Sequence, residues 1–181
     1  MKEQKNDRVE EADSASASQY LTFKLGDEVF ALDVAQVREV LDLIPITKVP
    51  GTPDFMRGVI NVRGSVVPVM DLRFKFGLSD IKETLDTRII VMEITLEDEI
   101  TVLGTLADSV DEVLDIEADQ IEPPPRIGMR WKTEFIRGIG KRDDQFIIIL
   151  DIDRVFSTDE LMLAESVEAV PETDTDEGAA E

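Results

Sequence analysis

The sequence contains no histidine and no cysteine, and only one tryptophan and one tyrosine. Without imidazole or thiol there is no Ser-His-Asp triad, no imidazole relay and no thiolate nucleophile. The usual structural zinc sites need the same side chains. No disulfide can form, so cysteine usage does not point to an oxidising compartment. Positive charge is scarce as well: 19 basic residues stand against 40 acidic ones, a net charge of −21. That balance disfavours nucleic acid, which is held through Lys and Arg on phosphate, and it disfavours an anionic membrane surface. No apolar run approaches the ~18 residues of a membrane-spanning helix. The N-terminal charges are not followed by a hydrophobic segment, so the expectation is a cytoplasmic chain with no secretory signal and no direct membrane insertion.

What remains is 181 residues, 43% of them hydrophobic, enough for one domain or two small ones. Residues 1–18 are polar and carry three basic and five acidic side chains. Residues 157–181 carry nine acidic and no basic side chains. The reading is a disordered tail over 1–18, a folded region over 19–156, and a final stretch over 157–181. In that stretch a short helix (158–168) precedes an acidic disordered tail.

The folded region reads as mostly β. Tyr20–Leu25 and Val29–Leu32 flank a turn at Gly26-Asp27-Glu28. Residues 57–62 and 65–70 flank Arg63-Gly64, and 87–94 and 100–107 flank a charged turn at 95–99. Apolar runs on either side of such turns predict hairpins. Phe146–Leu150 is a continuous apolar run and reads as buried throughout. Short helices are expected after Asp33, at Leu72–Phe76 and at Ile152–Phe156, with Asp71 and Asp151 as caps for the last two.

An internal repeat lies within this region. Phe55–Leu72 aligns with Phe135–Ile152 at an offset of 80 without a gap. Phe55/Phe135, Arg57/Arg137, Gly58/Gly138 and Asp71/Asp151 are identical pairs. Upstream, Val29–Leu41 aligns with Val102–Leu114 at an offset of 73, matching Val37/Val110, Glu39/Glu112 and Val40/Val113. The seven added residues are placed around Pro123–Lys132. Two similar β units result, each too small to hold much core alone, and they should pack together.

Single positions stand out against this repeat. Arg63 sits at a hairpin turn, where its five-donor fork suits a partner's carboxylate or backbone. Its repeat equivalent is Asp143, whereas Glu39 keeps Glu112, which suits one asymmetric site in which Glu39 pairs with Arg63 and orients it. Gly58 and Gly138 read as bulges or points of close backbone packing. Val37, Val40, Val110 and Val113 suit either a core or an apolar groove floor. Trp131 lies in the inserted loop, folded back or as a contact point. No glycine-rich phosphate loop occurs, and Asp151-Ile152-Asp153 lacks the Gly and Glu of a calcium loop. No metal site and no cofactor are expected.

These segments also carry a family resemblance. Val37-Arg38-Glu39-Val40, the run from Phe55 to Gly64, Val67-Pro68-Val69-Met70-Asp71-Leu72-Arg73 and Gly138-Ile139-Gly140 resemble the CheW-type chemotaxis coupling (adaptor) proteins. The match runs from Phe23 through Phe156. It implies two intertwined five-stranded SH3-like β-barrels around a shared core, in agreement with the repeat. It implies a non-enzymatic scaffold coupling methyl-accepting chemotaxis receptors to the regulatory domain of the CheA histidine kinase, recruited to receptor arrays at the inner membrane. By matching positions, the implied receptor-binding groove falls on Val37, Glu39, Gly58, Arg63, Gly64, Val110, Val113 and Gly138. The alternatives are a CheW-like regulatory module of another two-component pathway, in motility or development, and a carboxylate-based hydrolase. The hydrolase requires two convergent buried carboxylates in a pocket.

Overall fold

Alternating burial sets the strands. From Met56 to Ile60 every second residue is buried, and the strand reaches two cores: Ile60 and Val62 join one apolar cluster, Met56 and Val59 another. Ile89-Ile90-Val91-Met92 is buried on both faces: Ile89 and Val91 join one apolar cluster, Ile90 and Met92 another. The structure, a computed structural model, describes residues 17–78, 82–124 and 135–156. In chain order the strands are β1 (Ala17–Leu25), β2 (Glu28–Asp33), β3 (Val37–Asp42), β4 (Met56–Val62) and β5 (Ser65–Met70). They continue with β6 (Arg88–Leu96), β7 (Glu99–Ala107), β8 (Ser109–Glu117), β9 (Ile136–Arg142) and β10 (Gln145–Leu150). Helix α1 spans Leu72–Phe76 and α2 spans Ile152–Val155.

The strands form two five-stranded sheets, β8-β1-β2-β10-β9 and β3-β6-β7-β5-β4. Read position by position, these are the same sheet twice: β1 matches β6, β2 matches β7, β3 matches β8, β4 matches β9 and β5 matches β10. Even the parallel pair recurs, as β2 with β10 and β7 with β5. The chain completes the second sheet, β3 to β7, before returning to finish the first. The units are therefore interlocked, and the predicted duplication and fold class hold.

Three apolar clusters follow from this layout. Ile60, Val67, Val69, Ile89, Val91 and Leu106 fill one barrel. Tyr20, Val29, Ala31, Ile116, Ile147 and Ile149 fill the other. The largest cluster draws on both sheets and both helices, with Phe23, Phe30, Met70, Leu72, Met92, Leu103, Ile152 and Phe156 essentially inaccessible. A row of rings crosses it: Phe23 to Phe30 at 6.0 Å, Phe30 to Phe76 at 5.5 Å and Phe76 to Phe135 at 6.3 Å. Such ring pairs add about 0.5–1.5 kcal/mol each beyond area burial. Most of the large side chains are thus spent on joining the units, which neither could bury alone.

Two polar clasps tie each helix to the opposite sheet. Arg73 on α1 pairs with Asp108 in the β7–β8 connection, and Asp108 Oδ2 accepts from Gly26 N at 2.6 Å in the β1–β2 turn. Asp153 on α2, equivalent to Arg73 at the offset of 80, accepts from Gln36 Nε2 at 3.0 Å and from Thr95 N at 2.9 Å. The location of the clasp is duplicated while its charge is reversed.

Local expectations divide. Asp33 Oδ1 accepts from Ala35 N at 2.9 Å and starts a single 3-10 turn, Val34–Gln36, that runs straight into β3. Asp71 caps α1 through Arg73 N at 2.9 Å. Asp151 does not cap α2, since Arg154 draws its carboxylate aside at 3.5 Å. The run expected to be buried from Phe146 is buried only from Ile147: Phe146 lies at the turn end of β10 and is 63% exposed. The predicted start at residue 19 falls inside β1: Ala17 and Ser18 pair with Glu117 and Ile116, a backbone pairing that side-chain pattern does not reveal. The repeat's insertion is also split. Thr47 bridges Val59 and Glu122 bridges Ile139, an offset already grown to 75. Two of the seven added residues therefore fall around the 3-10 turn Ala118–Gln120 and five beyond Glu122. Trp131, the stretch 158–168 and both predicted tails up to residue 16 and from 157 lie outside the described residues.

Candidate functional site

The β4–β5 hairpin closes on a two-residue turn with φ of +50° at Arg63 and +87° at Gly64. Positive φ at both central residues is the type I′ geometry that matches strand twist. The 97–98 and 143–144 turns share it. Asn, Asp and Gly occupy such positions most easily, so an Arg at φ +50° carries a backbone cost of about 1 kcal/mol. The conformation places its side chain across the end of the barrel. On the other side β3 carries a bulge between Val37 and Glu39, which re-aims Glu39.

The two side chains meet. Arg63 Nη1 donates to Glu39 Oε2 at 2.6 Å and Nη2 donates to Glu39 Oε1 at 3.0 Å. β3 and β4 are the two ends of their sheet, so this bidentate pair straps the open side of the barrel. Glu39 is mostly covered while the Arg63 side chain is 77% exposed. The hydrogen bond and charge of Glu39 hold the guanidinium even more firmly in its charged form. Gly64 N donates to Asn61 Oδ1 at 2.8 Å, closing the turn from within the hairpin.

The pair stands at the edge of a cleft of about 670 Å³. It is lined by Val62, Val66, Val67, Val91, Ile100 and Val102 together with Arg38, Glu39, Ser65 and Thr101. Ile100 is 67% exposed, a large apolar side chain left in solvent. Among the described residues Glu39 is the only carboxylate lining the cleft, and Arg63 engages both its oxygens. The two convergent acids that hydrolysis needs are not assembled here. Among the described residues no group of three acidic side chains is placed to hold a metal ion. What the cleft presents is a row of valines and Ile100 along one part of its wall, polar groups along the rest, and a fixed, charged donor fork at its edge.

Of the eight predicted residues, Glu39, Arg63 and Gly64 come together at this cleft. Val37 and Val110 are half-buried and pack against the shared core. Val113 is 50% exposed and Val40, its repeat equivalent, 38%. Gly58 and Gly138 are buried. A Cβ on Gly58, at φ +144°, would lie 2.2 Å from Thr47 O; one on Gly138 would lie 2.3 Å from Ile121 Cγ2. These glycines let the 46–47 and 121–122 segments cross directly over β4 and β9, and they present no side chain to a partner.

The second barrel holds a counterpart that the alignment missed. Glu112 pairs with Arg142 at 3.0 Å, beside a smaller cleft of about 150 Å³ that includes Asp111 and Asp143. Arg142 is the last residue of β9, one position before the turn, so a gapless offset of 80 sets it against Val62 and sets Asp143 against Arg63. Asn61 and Ile100 were also missed. Asn61 falls inside one segment that reads as a strand and Ile100 opens another, and the strand pattern sets neither apart.

A family model for the CheW-like domain matches residues 19–160. The chain is 34% identical over 149 residues to the chemotaxis protein CheW of Klebsiella aerogenes, covering 82% of this chain and 87% of that one. It is 33% identical over 147 residues to the chemotaxis protein CheW of Helicobacter pylori, covering 81% and 86%. The crystal structure of the scaffolding protein TtCheW from Thermoanaerobacter tengcongensis is similar to it with a TM-score of 0.70 and 38% identity, covering 79% of this chain and 90% of that one. With the duplicated barrel, the interlocked sheets and the extent of these matches, the chain belongs to the CheW-like family.

Proposed function

We propose that this protein is a non-enzymatic coupling scaffold that holds the cytoplasmic tips of methyl-accepting chemotaxis receptors and the regulatory domain of the CheA kinase in fixed register. Membership of a chemotaxis scaffold family supports the general role. The specific reading rests on one observation: an exposed Arg63 fork, locked by Glu39 at the edge of a cleft whose wall is apolar in part. A guanidinium already oriented by a carboxylate loses less side-chain freedom on meeting a partner. Its remaining N–H groups suit carboxylates or backbone carbonyls on a helical receptor tip, and the apolar wall suits the buried face of such a helix. Val113 extends the proposed receptor surface, with Val37 and Val110 packed beneath it and Gly58 and Gly138 as its structural supports. Among the described residues no helix is long and apolar enough to cross a membrane. Recruitment to the membrane-bound array is accordingly proposed to come through the receptors.

Co-sedimentation with receptor signalling domains and with CheA tests this. Arg63→Glu reverses the fork beside Glu39, and receptor affinity should fall by about tenfold or more while circular dichroism and kinase binding stay as in the wild type. Unchanged receptor affinity in that variant would remove Arg63 from the site.

A further inference from the structure

The internal repeat supplies a control for the Arg63 turn. All three type I′ turns, at 63–64, 97–98 and 143–144, form with the same signs of φ. Among the described residues only the first has a side chain closing it from within its own hairpin, Gly64 N donating to Asn61 Oδ1 at 2.8 Å. The equivalent of Asn61 in the second barrel is Lys141, and the 143–144 turn forms there without such a bond. Asn61 is therefore not needed to make this kind of turn. It is exposed, so it is not needed for a core either. What differs between the barrels is the arginine. In the first it sits on the turn itself and grips both oxygens of Glu39. In the second it sits on the strand at Arg142, outside the turn, and makes a single hydrogen bond to Glu112.

A side chain on the first turn residue is aimed by the peptide plane that follows it. The Arg63–Gly64 plane is the one whose N–H the Asn61 carboxamide holds. We infer that Asn61 is a positioning residue for Arg63: by fixing this peptide plane it sets the direction of the guanidinium and gives the two-point contact with Glu39. A strand-borne arginine needs no such brace, and the barrel with Arg142 has none. The inference deepens the proposed receptor site and rests on that reading for its effect on binding, though not for its effect on Arg63.

The test uses the full chain as wild type, Asn61→Ala, Asn61→Asp, Arg63→Ala and the Asn61→Ala/Arg63→Ala double variant. The first readout needs no partner: the Arg63 side-chain Nε–H resonance in ¹⁵N NMR. Asn61→Ala should broaden or shift it towards a freely rotating arginine, and Asn61→Asp, which keeps the acceptor oxygen, should restore it. The second readout is affinity for a receptor signalling domain. Asn61→Ala should weaken it about fivefold, the scale of one lost hydrogen bond, and should have no further effect once Arg63 is alanine. An Arg63 resonance untouched by Asn61→Ala overturns the inference. So does an equal loss of affinity in the Arg63→Ala background, which would make Asn61 a direct contact or a fold residue. If Arg63→Ala itself leaves receptor affinity unchanged, the proposed receptor site fails, and the resonance still decides the role of Asn61.

Discussion

Glu112 accepts a hydrogen bond from Arg142 at 3.0 Å, although strict duplication sets Asp143 where the first barrel has Arg63. Both barrels thus strap their open side with a Glu–Arg pair, built from glutamates in register and arginines one position out of register. The pairs differ in reach. Arg63 leans over a cleft of about 670 Å³, whereas Arg142 stands beside one of about 150 Å³ and also lies 3.8 Å from Asp143.

The first prediction follows from that difference. Arg142→Glu should leave receptor affinity within about twofold of wild type, since its cleft is small and acidic. The loss of an exposed pair should cost about 0–1 kcal/mol of stability. Isothermal calorimetry with a receptor signalling domain, beside urea denaturation, measures both. A loss of affinity matching that of Arg63→Glu would show that the two mouths act together.

A second prediction concerns the glycines under the crossing segments. At Gly58 an added Cβ meets backbone, Thr47 O at 2.2 Å, and φ is +144°. Neither conflict relaxes easily, so Gly58→Ala should destabilise by about 3 kcal/mol or more. At Gly138 the nearest atom is a side-chain methyl, Ile121 Cγ2 at 2.3 Å, with Glu122 O at 2.9 Å. Part of that clash can yield, and a cost of about 1–3 kcal/mol is expected. Gly140 serves as the control: its nearest neighbours are at 3.5 Å and 3.6 Å, and Gly140→Ala should cost under about 1 kcal/mol. Chemical denaturation of the three variants should give the order 58, 138, 140; any other order contradicts the close-approach account.

The gapless match of Phe55–Leu72 with Phe135–Ile152 made the duplication legible because it covers a whole hairpin, whose turn and strand lengths are fixed together. The pairing of β1 and β2 with β8–β10 was not legible, since nothing local to Tyr20 says that Leu114 lies opposite it. At the site, Glu39 and Arg63 could be paired from the sequence because the turn and the repeat both marked them. Arg142 was hidden by the same repeat: alignment by residue number sees Asp143, while in space an arginine one residue earlier performs the same closure. Asp151 failed as a cap for a similar reason. It matches Asp71 in sequence, but Arg154 lies one helical turn away and competes for its carboxylate.

The clasps give a third prediction. Asp108 faces the buried guanidinium of Arg73 and accepts from Gly26 N, and one of its oxygens is buried without a hydrogen bond. Asp108→Ala takes this carboxylate from a buried cation and should cost about 3 kcal/mol. Asp153→Ala removes two neutral-donor hydrogen bonds and should cost about 1–2 kcal/mol. Both clasps join helix to opposite sheet, so native-state hydrogen exchange should show loosening at the β1–β2 turn in the first variant and at the β6–β7 turn in the second. Loosening confined to the helix carrying or facing the substitution would show that the clasps are local contacts and do not couple the units.

The last prediction separates the four valines that the sequence could not divide between core and groove. Val37 and Val110 pack against the shared core, so a charge there must be desolvated among apolar neighbours. Val37→Asp and Val110→Asp should each cost several kcal/mol and lower receptor binding only by depleting folded protein. Val40 and Val113 are 38% and 50% exposed. Val40→Asp and Val113→Asp should change stability by about 0.5 kcal/mol or less, because water still reaches the new carboxylate. If the receptor surface spans β3 and β8 as proposed, the Val113 variant loses affinity by about tenfold at full folding, the scale of one desolvated apolar contact replaced by charge. Thermal melts beside binding isotherms distinguish the cases. Should Val113→Asp bind the receptor domain as wild type does, β8 drops out of the proposed surface, which would then be confined to the first barrel around Glu39 and Arg63.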